Sequence, residues 1–232
     1  MIAERIDTIP VQRLITKHLA HQAPYDQEFH GLQLVIFPEV FNPAYTQVSG
    51  FLADHLTVTP GSRVLDMFSG SGALSFLAAR TTDSVLGVDI SPHAVRCAQY
   101  NSKRLGLSHK TEFRIAKLWS GVGEQEKFDL IIANPPLLPA TPENWLEMAI
   151  ADGPEMSTAV KFIQGCGDHL VENGRVLMSF SNACQVYFDD PLGFISRTAQ
   201  EVGLTMNVMA ERDSGYEVYR ILDFRRRLKW QK

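Results

Sequence analysis

Val64-Leu65-Asp66-Met67-Phe68-Ser69-Gly70-Ser71-Gly72-Ala73 is the stretch on which the fold turns. A short apolar strand, Arg63–Met67, carries Asp66 near its end. A serine- and glycine-rich turn follows, and a helix, Ala73–Arg80, opens from it. The same unit then repeats along the chain. Strands are expected at Ser84–Asp89, Thr111–Ala116, Phe128–Ala133 and Arg175–Ser181, and helices at Pro92–Leu105, Glu155–Leu170 and Leu192–Val202. Pro92 suits a first helical turn and Gly106 the residue after a helix end. Thr205–Glu211 and Glu217–Phe224 read as a final strand pair joined by the turn Asp213-Ser214-Gly215, so one antiparallel strand is expected to end the sheet. The fold class is α/β: a doubly wound, mostly parallel seven-stranded sheet covered on both faces, of Rossmann-like type. Ligands of such sheets bind beyond the carboxyl ends of the strands. The loops after Met67, Asp89, Ala116 and Ala133 are therefore the ones that matter.

Upstream, Val11 to His21 reads as a short helix closed by Pro24, with Val11, Leu14, Ile15 and Leu19 at helical spacing. It is taken as a packing or homodimerisation helix. Gln27 to Phe37 is strand-like and broken at Gly31, which marks a hairpin or bulge. Pro38 to Pro43 is a loop, Gln47 to Leu56 a helix, and Pro60-Gly61 a turn. Residues 1–46 are thus expected to form a helix, hairpin and loop over the active site, and residues 47–232 the Rossmann-like domain.

The 232 residues suit one large domain, and 45% hydrophobic against 21% charged residues excludes wholesale disorder. No apolar run approaches the ~18–20 residues that span a bilayer. The charged N-terminus MIAERIDTIPVQ lacks a signal peptide's apolar run. A net charge of −4 argues against a large nucleic-acid footprint. Cys97, Cys166 and Cys184 are far apart, which fits a reducing cytoplasm, and no zinc site is expected. The histidines form no HxxxH pair, so metal is expected to play no part. Arg225-Arg226-Arg227 with Lys229 and Lys232 is taken as a solvated tail.

The glycine turn narrows the ligand. A P-loop requires Gly-Lys-Ser/Thr, which is absent, and a dinucleotide site wants a third glycine where Ser75 stands. A pyrophosphate would also be repelled by Asp66. A ligand carrying an ammonium and a carboxylate suits better, since Asp66 could face the first and backbone N–H groups hold the second. The methionine half of S-adenosyl-L-methionine (SAM) has those groups. Taken alone, the turn could equally serve chain reversal. Asp89 ends the next strand 23 residues later. A carboxylate there can accept both ribose hydroxyls of an adenosine, with Ile90 against the adenine. Helix capping is its alternative use, although Ser91 can do that instead. Asn134-Pro135-Pro136 follows the fourth strand as a stiff loop. The Asn134 amide oxygen and the Pro135 carbonyl could hold a substrate NH2 and aim its lone pair at a sulfonium methyl, a catalysis of positioning. An ordinary proline-rich loop is the plainer reading.

In this order the three elements resemble those of the class I SAM-dependent methyltransferases, in the NPP-motif "methyltransferase small" branch that includes release-factor glutamine N5-methyltransferases and rRNA guanine-N2 methyltransferases. VLDMFSGSGALSFLAA, VDISPHAVRCAQYNSKRLGL and FDLIIANPPLLP resemble the family's first, second and fourth motifs, and EFHGLQLVIFPEVFNPAY its preceding hairpin and loop. The resemblance implies that Gly70, Gly72, Phe68 and Asp66 attend the methionine part, Asp89 the ribose and Ile90 the adenine, with Leu118 and Asn134 also bordering the cofactor. It implies that Asn134 and Pro135 orient the acceptor. Three departures stand out. Leu137 replaces the aromatic residue after NPP, for which Phe41, Tyr45 or Trp145 could substitute. Lys117 stands where many relatives carry an acid near the adenine, and is taken to point to solvent. The segment before the hairpin is short for the helical domain with which release-factor methyltransferases grip their substrate.

The expected activity is methyl transfer from SAM to a nitrogen of a small molecule or amino acid, with Asn134 and Pro135 as the acting groups and Phe41, Tyr45 and Leu137 around the acceptor. The alternatives are cyclisation of SAM to azetidine-2-carboxylate with release of methylthioadenosine, methylation of protein glutamine or RNA guanine, and SAM binding without catalysis. Asp152-Gly153-Pro154 could border the acceptor pocket but is taken as a turn before a helix, and Tyr216 and Tyr219 are taken as packing residues.

Overall fold

Burial on both faces explains why the strands of the repeating units are apolar without alternation. In the computed structural model, residues 9–138, 140–153, 155–183, 189–215 and 217–227 are described. Seven strands form one sheet: β3 (Arg63–Met67), β4 (Ser84–Asp89), β5 (Thr111–Ile115), β6 (Phe128–Ala133), β7 (Leu170–Ser181), β8 (Leu204–Asp213) and β9 (Val218–Arg226). Their order is β5-β4-β3-β6-β7-β9-β8. The first five in that order are mutually parallel, and β9 is antiparallel to both its neighbours. A separate antiparallel hairpin precedes them, formed by β1 (Tyr25–Phe29) and β2 (Leu32–Ile36) and turning at Gly31 (φ +76°).

Helices cover both faces. α6 (Ser157–His169) and α7 (Pro191–Glu201) bury Phe162, Ile163, Cys166 and Ile195 against Leu65, Met67, Ile131 and Met178. On the opposite face α2 (Gln47–Asp54) and α3 (Ala73–Ala79) bury Phe51, Leu52, Leu74 and Ala78 against Val64, Leu130, Ile132 and Leu177. The hairpin has Phe29, Leu34 and Ile36 packed with Phe76 of α3 and with Val95 and Cys97 of α4 (Pro92–Arg104). Burying one such side chain contributes roughly 1.5–3 kcal/mol.

Several expectations are corrected. β9 is inserted between β7 and β8, so the antiparallel strand lies one place in from the edge and β8 ends the sheet. β7 begins at Leu170 rather than Arg175, and α6 begins at Ser157. The first helix, α1, spans Ile9–Leu19. A four-residue helix, α5 (Trp145–Met148), was not expected. The terminal arginines are exposed as expected, but they do not form a free tail: Arg225 and Arg226 belong to β9, Arg225 donates to Asp223 (3.1 Å), and Arg226 donates to the Leu170 carbonyl (2.8 Å). Pro154, Cys184, Tyr216, Lys229 and Lys232 lie outside the described residues.

The register brings the functional loops together. Met67 pairs with Val88 of β4 on one side and with Ala133 of β6 on the other. The chain leaves β3 toward β4, and later returns to place β6 on its other flank. That is a topological switch point, where a crevice opens at the carboxyl ends of the strands. No helix among the described residues is long and apolar enough to cross a membrane.

Candidate active site

A cavity of about 390 Å³ occupies that crevice. Its wall includes Phe68 and Gly70 from the glycine turn, Asp89 and Ile90 after β4, Leu118 after β5, and Asn134 and Pro136 after β6. Asp89 is fixed by two backbone donors: Gly70 N–H to Oδ2 (2.9 Å) and Ser91 N–H to Oδ1 (2.8 Å). Ser91 separately caps α4 by accepting from Ala94 N–H (3.3 Å), so the cap does not depend on Asp89. Each Asp89 oxygen therefore keeps acceptor capacity toward the cavity. Burial raises its pKa from the ordinary carboxylate value, opposed by the N–H groups of Ser91, Gly70 and Ile90.

The glycine turn divides its residues between the wall and its support. Phe68 takes φ +69°, a strained position for a non-glycine residue, held by its N–H donating to the Val88 carbonyl (2.9 Å). Its ring meets Phe162 edge-on at 5.6 Å. Gly72 does not reach the wall: a Cβ there would lie 2.6 Å from Phe76 Cζ, so close packing together with φ +86° demands glycine. Asp66 also lies behind the wall, almost fully buried. Its Oδ2 accepts from Ser75 Oγ (2.6 Å), and burial pushes its pKa up to about 7 against that hydrogen bond. Asp66 Oδ1, Ser69 Oγ and Ser71 Oγ are buried without a hydrogen-bond partner among the described residues. Three orphaned polar atoms around one turn fit a ligand, or ligand-ordered water, offering both donors and acceptors. Lys117 is exposed, yet it borders the cavity as well.

A second cavity of about 260 Å³ lies beyond the first. Phe41, Asn134 and Ala149 line both. Pro135, Leu137 and Tyr45 face the second, and Trp145 the first, 6.4 Å from His93. Phe41 is thus the candidate ring bordering both spaces. Asn134 is held from two directions: its Nδ2 donates to Ser49 Oγ of α2 (3.0 Å), and its Oδ1 accepts from Ser179 Oγ of β7 (2.6 Å). The amide is rigid at the junction, with one Nδ2 hydrogen and one Oδ1 lone pair left over. Neither serine stood out in the sequence, because nothing in local spacing announces partners so distant along the chain. Tyr219 carries more than the packing role expected of it, and Asp152 takes the pocket-bordering place that was the alternative to a plain turn. Tyr219 lines the second cavity and donates to Glu217 (2.9 Å), while Asp152 lines the first and accepts from the N–H groups of Thr158 and Ala159 at the start of α6.

A family model described as "Methyltransferase domain" matches residues 58–222. The chain belongs to the methyltransferase domain family. SAM as methyl donor is consistent with that family. Among curated proteins, a putative protein N5-glutamine methyltransferase of Methanocaldococcus jannaschii is 30% identical over 155 residues, covering 64% of this chain and 76% of that protein. A release factor glutamine methyltransferase of Koribacter versatilis is 34% identical over 140 residues, 58% of this chain and 46% of its own length. The chain thus spans about half of that relative. Among solved structures, the T. thermophilus 16S rRNA N2 G1207 methyltransferase in complex with AdoMet and guanosine aligns with TM-score 0.63 at 19% identity. That alignment covers 88% of this chain and 50% of that one, a likeness of fold.

Proposed function

We propose that this methyltransferase methylates the side-chain amide nitrogen of glutamine in a protein substrate. The observation that carries the reading is the place of Asn134, fixed by Ser49 and Ser179 at the junction of two cavities. When bound, SAM supplies an electrophilic sulfonium methyl. Asp89 would hold the ribose from the first cavity, and the buried acceptor of Asp66 would favour the ammonium end. The free lone pair of Asn134 Oδ1 and the Pro135 carbonyl would take the two hydrogens of an incoming carboxamide. Its nitrogen is then presented to the methyl with little need for a strong base.

Glutamine in a protein replaces the small-molecule acceptor favoured from the sequence. That preference rested on the acidic balance, the short segment before the hairpin and the loss of an aromatic residue at Leu137; for the last of these, Phe41 stands at the junction to supply a ring. The descriptions of the two curated relatives support the same acceptor class. Cyclisation of SAM would leave the cavity beyond Asn134 without a use. The test is incubation with SAM and glutamine-containing peptides, followed by mass spectrometry of the glutamine side chain. N5-methylglutamine supports the proposal. Methylthioadenosine released from SAM alone would support cyclisation instead, and transfer confined to free amino acids would return the acceptor to a small molecule.

A further inference from the structure

Beyond Asn134 the second cavity is mostly apolar, walled by Leu14, Tyr45, Val48, Leu137 and Ile150, and one carboxylate, Glu217, stands in its wall. The sheet register explains how it is held. Ser181 of β7 pairs directly with Tyr219 of β9, so both side chains share one face. Glu217 precedes Tyr219 by two residues, on the same side of the chain. Its Oε1 accepts from Ser181 Oγ, and its Oε2 accepts from Tyr219 OH (2.9 Å). Two neutral hydroxyls orient a carboxylate without neutralising it. Lys17, near this cavity, is engaged with the face of the Tyr45 ring (3.7 Å) and is not in the cavity wall. A fixed charge with no cationic partner among the described residues, facing an apolar space, selects for a partner that brings the opposite charge.

The same strand also sets the distance. Ser179 holds Asn134 and Ser181 holds Glu217. Alternate residues of a strand face the same way, about 6.6 Å apart. The amide-orienting group and the carboxylate thus stand side by side on one rail, separated by roughly the reach of one or two residues of extended chain. We propose that Glu217 is the specificity residue of the acceptor cavity. It receives a cationic group, the ammonium or guanidinium of a side chain within two residues of the methylated glutamine. The inference rests on the reading that the second cavity takes a glutamine-bearing segment.

The experiment separates the two ideas by measuring binding and transfer independently. Peptides with one central glutamine carry lysine, norleucine or glutamate at each of the two positions on either side. Their affinity for the full-length protein is measured in the presence of S-adenosylhomocysteine, and their methylation with SAM. The expected order is lysine over norleucine over glutamate, with about tenfold or more between lysine and norleucine at the responsive position. Glu217→Gln, which keeps an oxygen for one hydroxyl and offers an NH2 to the other, should abolish that difference while leaving SAM affinity unchanged. Glu217→Lys should favour the glutamate peptide. Equal binding of the three peptides by the wild-type protein, binding of none, or a lysine preference that survives Glu217→Gln overturns the proposal. The wild-type series decides this even if a variant folds poorly. A lysine preference lost in Glu217→Gln, with no peptide methylated, supports the role of Glu217 and counts against glutamine as the acceptor.

Discussion

Asn134 draws its orientation from residues 85 and 45 positions away, Ser49 and Ser179. Asn134→Ala should lower kcat by about 10²-fold through loss of orientation at the reacting nitrogen, in steady-state assays of peptide methylation. Ser179→Ala leaves the amide in place but free to turn, and should cost about tenfold in kcat with an unchanged KM for SAM. Gly72→Ala brings a Cβ against Phe76 at φ +86° and should destabilise the fold by about 1–3 kcal/mol, read from a denaturant midpoint. Asp66 gives a pH signature of its own. Its carboxyl titrates near 3.8 in an unfolded chain and about 7 when folded, so between these values the folded state binds more protons. Folding stability from this group is therefore full below 3.8 and is lost as pH rises through about 7. Asp66→Asn should flatten that decline in chemical denaturation across the interval. At this scale the acids and the asparagine were legible from their places at strand ends. The side chains that aim them were not, because such hydrogen bonds leave no mark in periodicity.

Between single residues and the fold stands the segment from α1 to α2, which delivers Phe41, Tyr45 and Ser49 to the site. His18 of α1 anchors it. Its Nε2 accepts from Asn42 N–H (2.8 Å), its Nδ1 donates to the Leu14 carbonyl (2.8 Å), and its ring stacks on Phe41 at 5.4 Å. Only the neutral ring can accept from Asn42. Burial lowers the His18 pKa from 6.5, helped by the charges of Lys17 and His21. As pH falls below 6.5, the unfolded chain takes up a proton that folded His18 resists, so the stability from this contact is lost toward acid. Hydrogen exchange should show α1 and residues 38–46 opening faster below pH 6.5, with less pH dependence in His18→Gln. The elements themselves were read well where periodicity is long, as in α4, or where glycine marks a turn, as at Gly31. α5 has only four residues and no period to detect. The start of β7 at Leu170 was hidden because Glu172-Asn173-Gly174 interrupts the apolar run. The place of β9 inside the sheet depends on long-range pairing that a turn signal at residues 213–215 cannot specify.

Across the whole molecule the logic is that of one crevice at a switch point, with the register of β4, β3 and β6 fixing which loops meet there. That much follows from strand–helix alternation, because a parallel sheet leaves ligands only its carboxyl edge. The division of the crevice into two cavities was not legible. It depends on α2, α5 and the β7–β9 pair closing around Asn134. Under the proposed function the two spaces have separate work, with Asp89 to hold the cofactor and Asn134 to present the acceptor. Calorimetric titration of SAM into the wild type, Asp89→Ala and Asn134→Ala under one set of conditions tests that separation most directly. Asp89→Ala should weaken binding by about 1–3 kcal/mol, roughly ten- to hundredfold, while Asn134→Ala binds SAM as the wild type does. Wild-type affinity in Asp89→Ala, or an equal loss in Asn134→Ala, would contradict it.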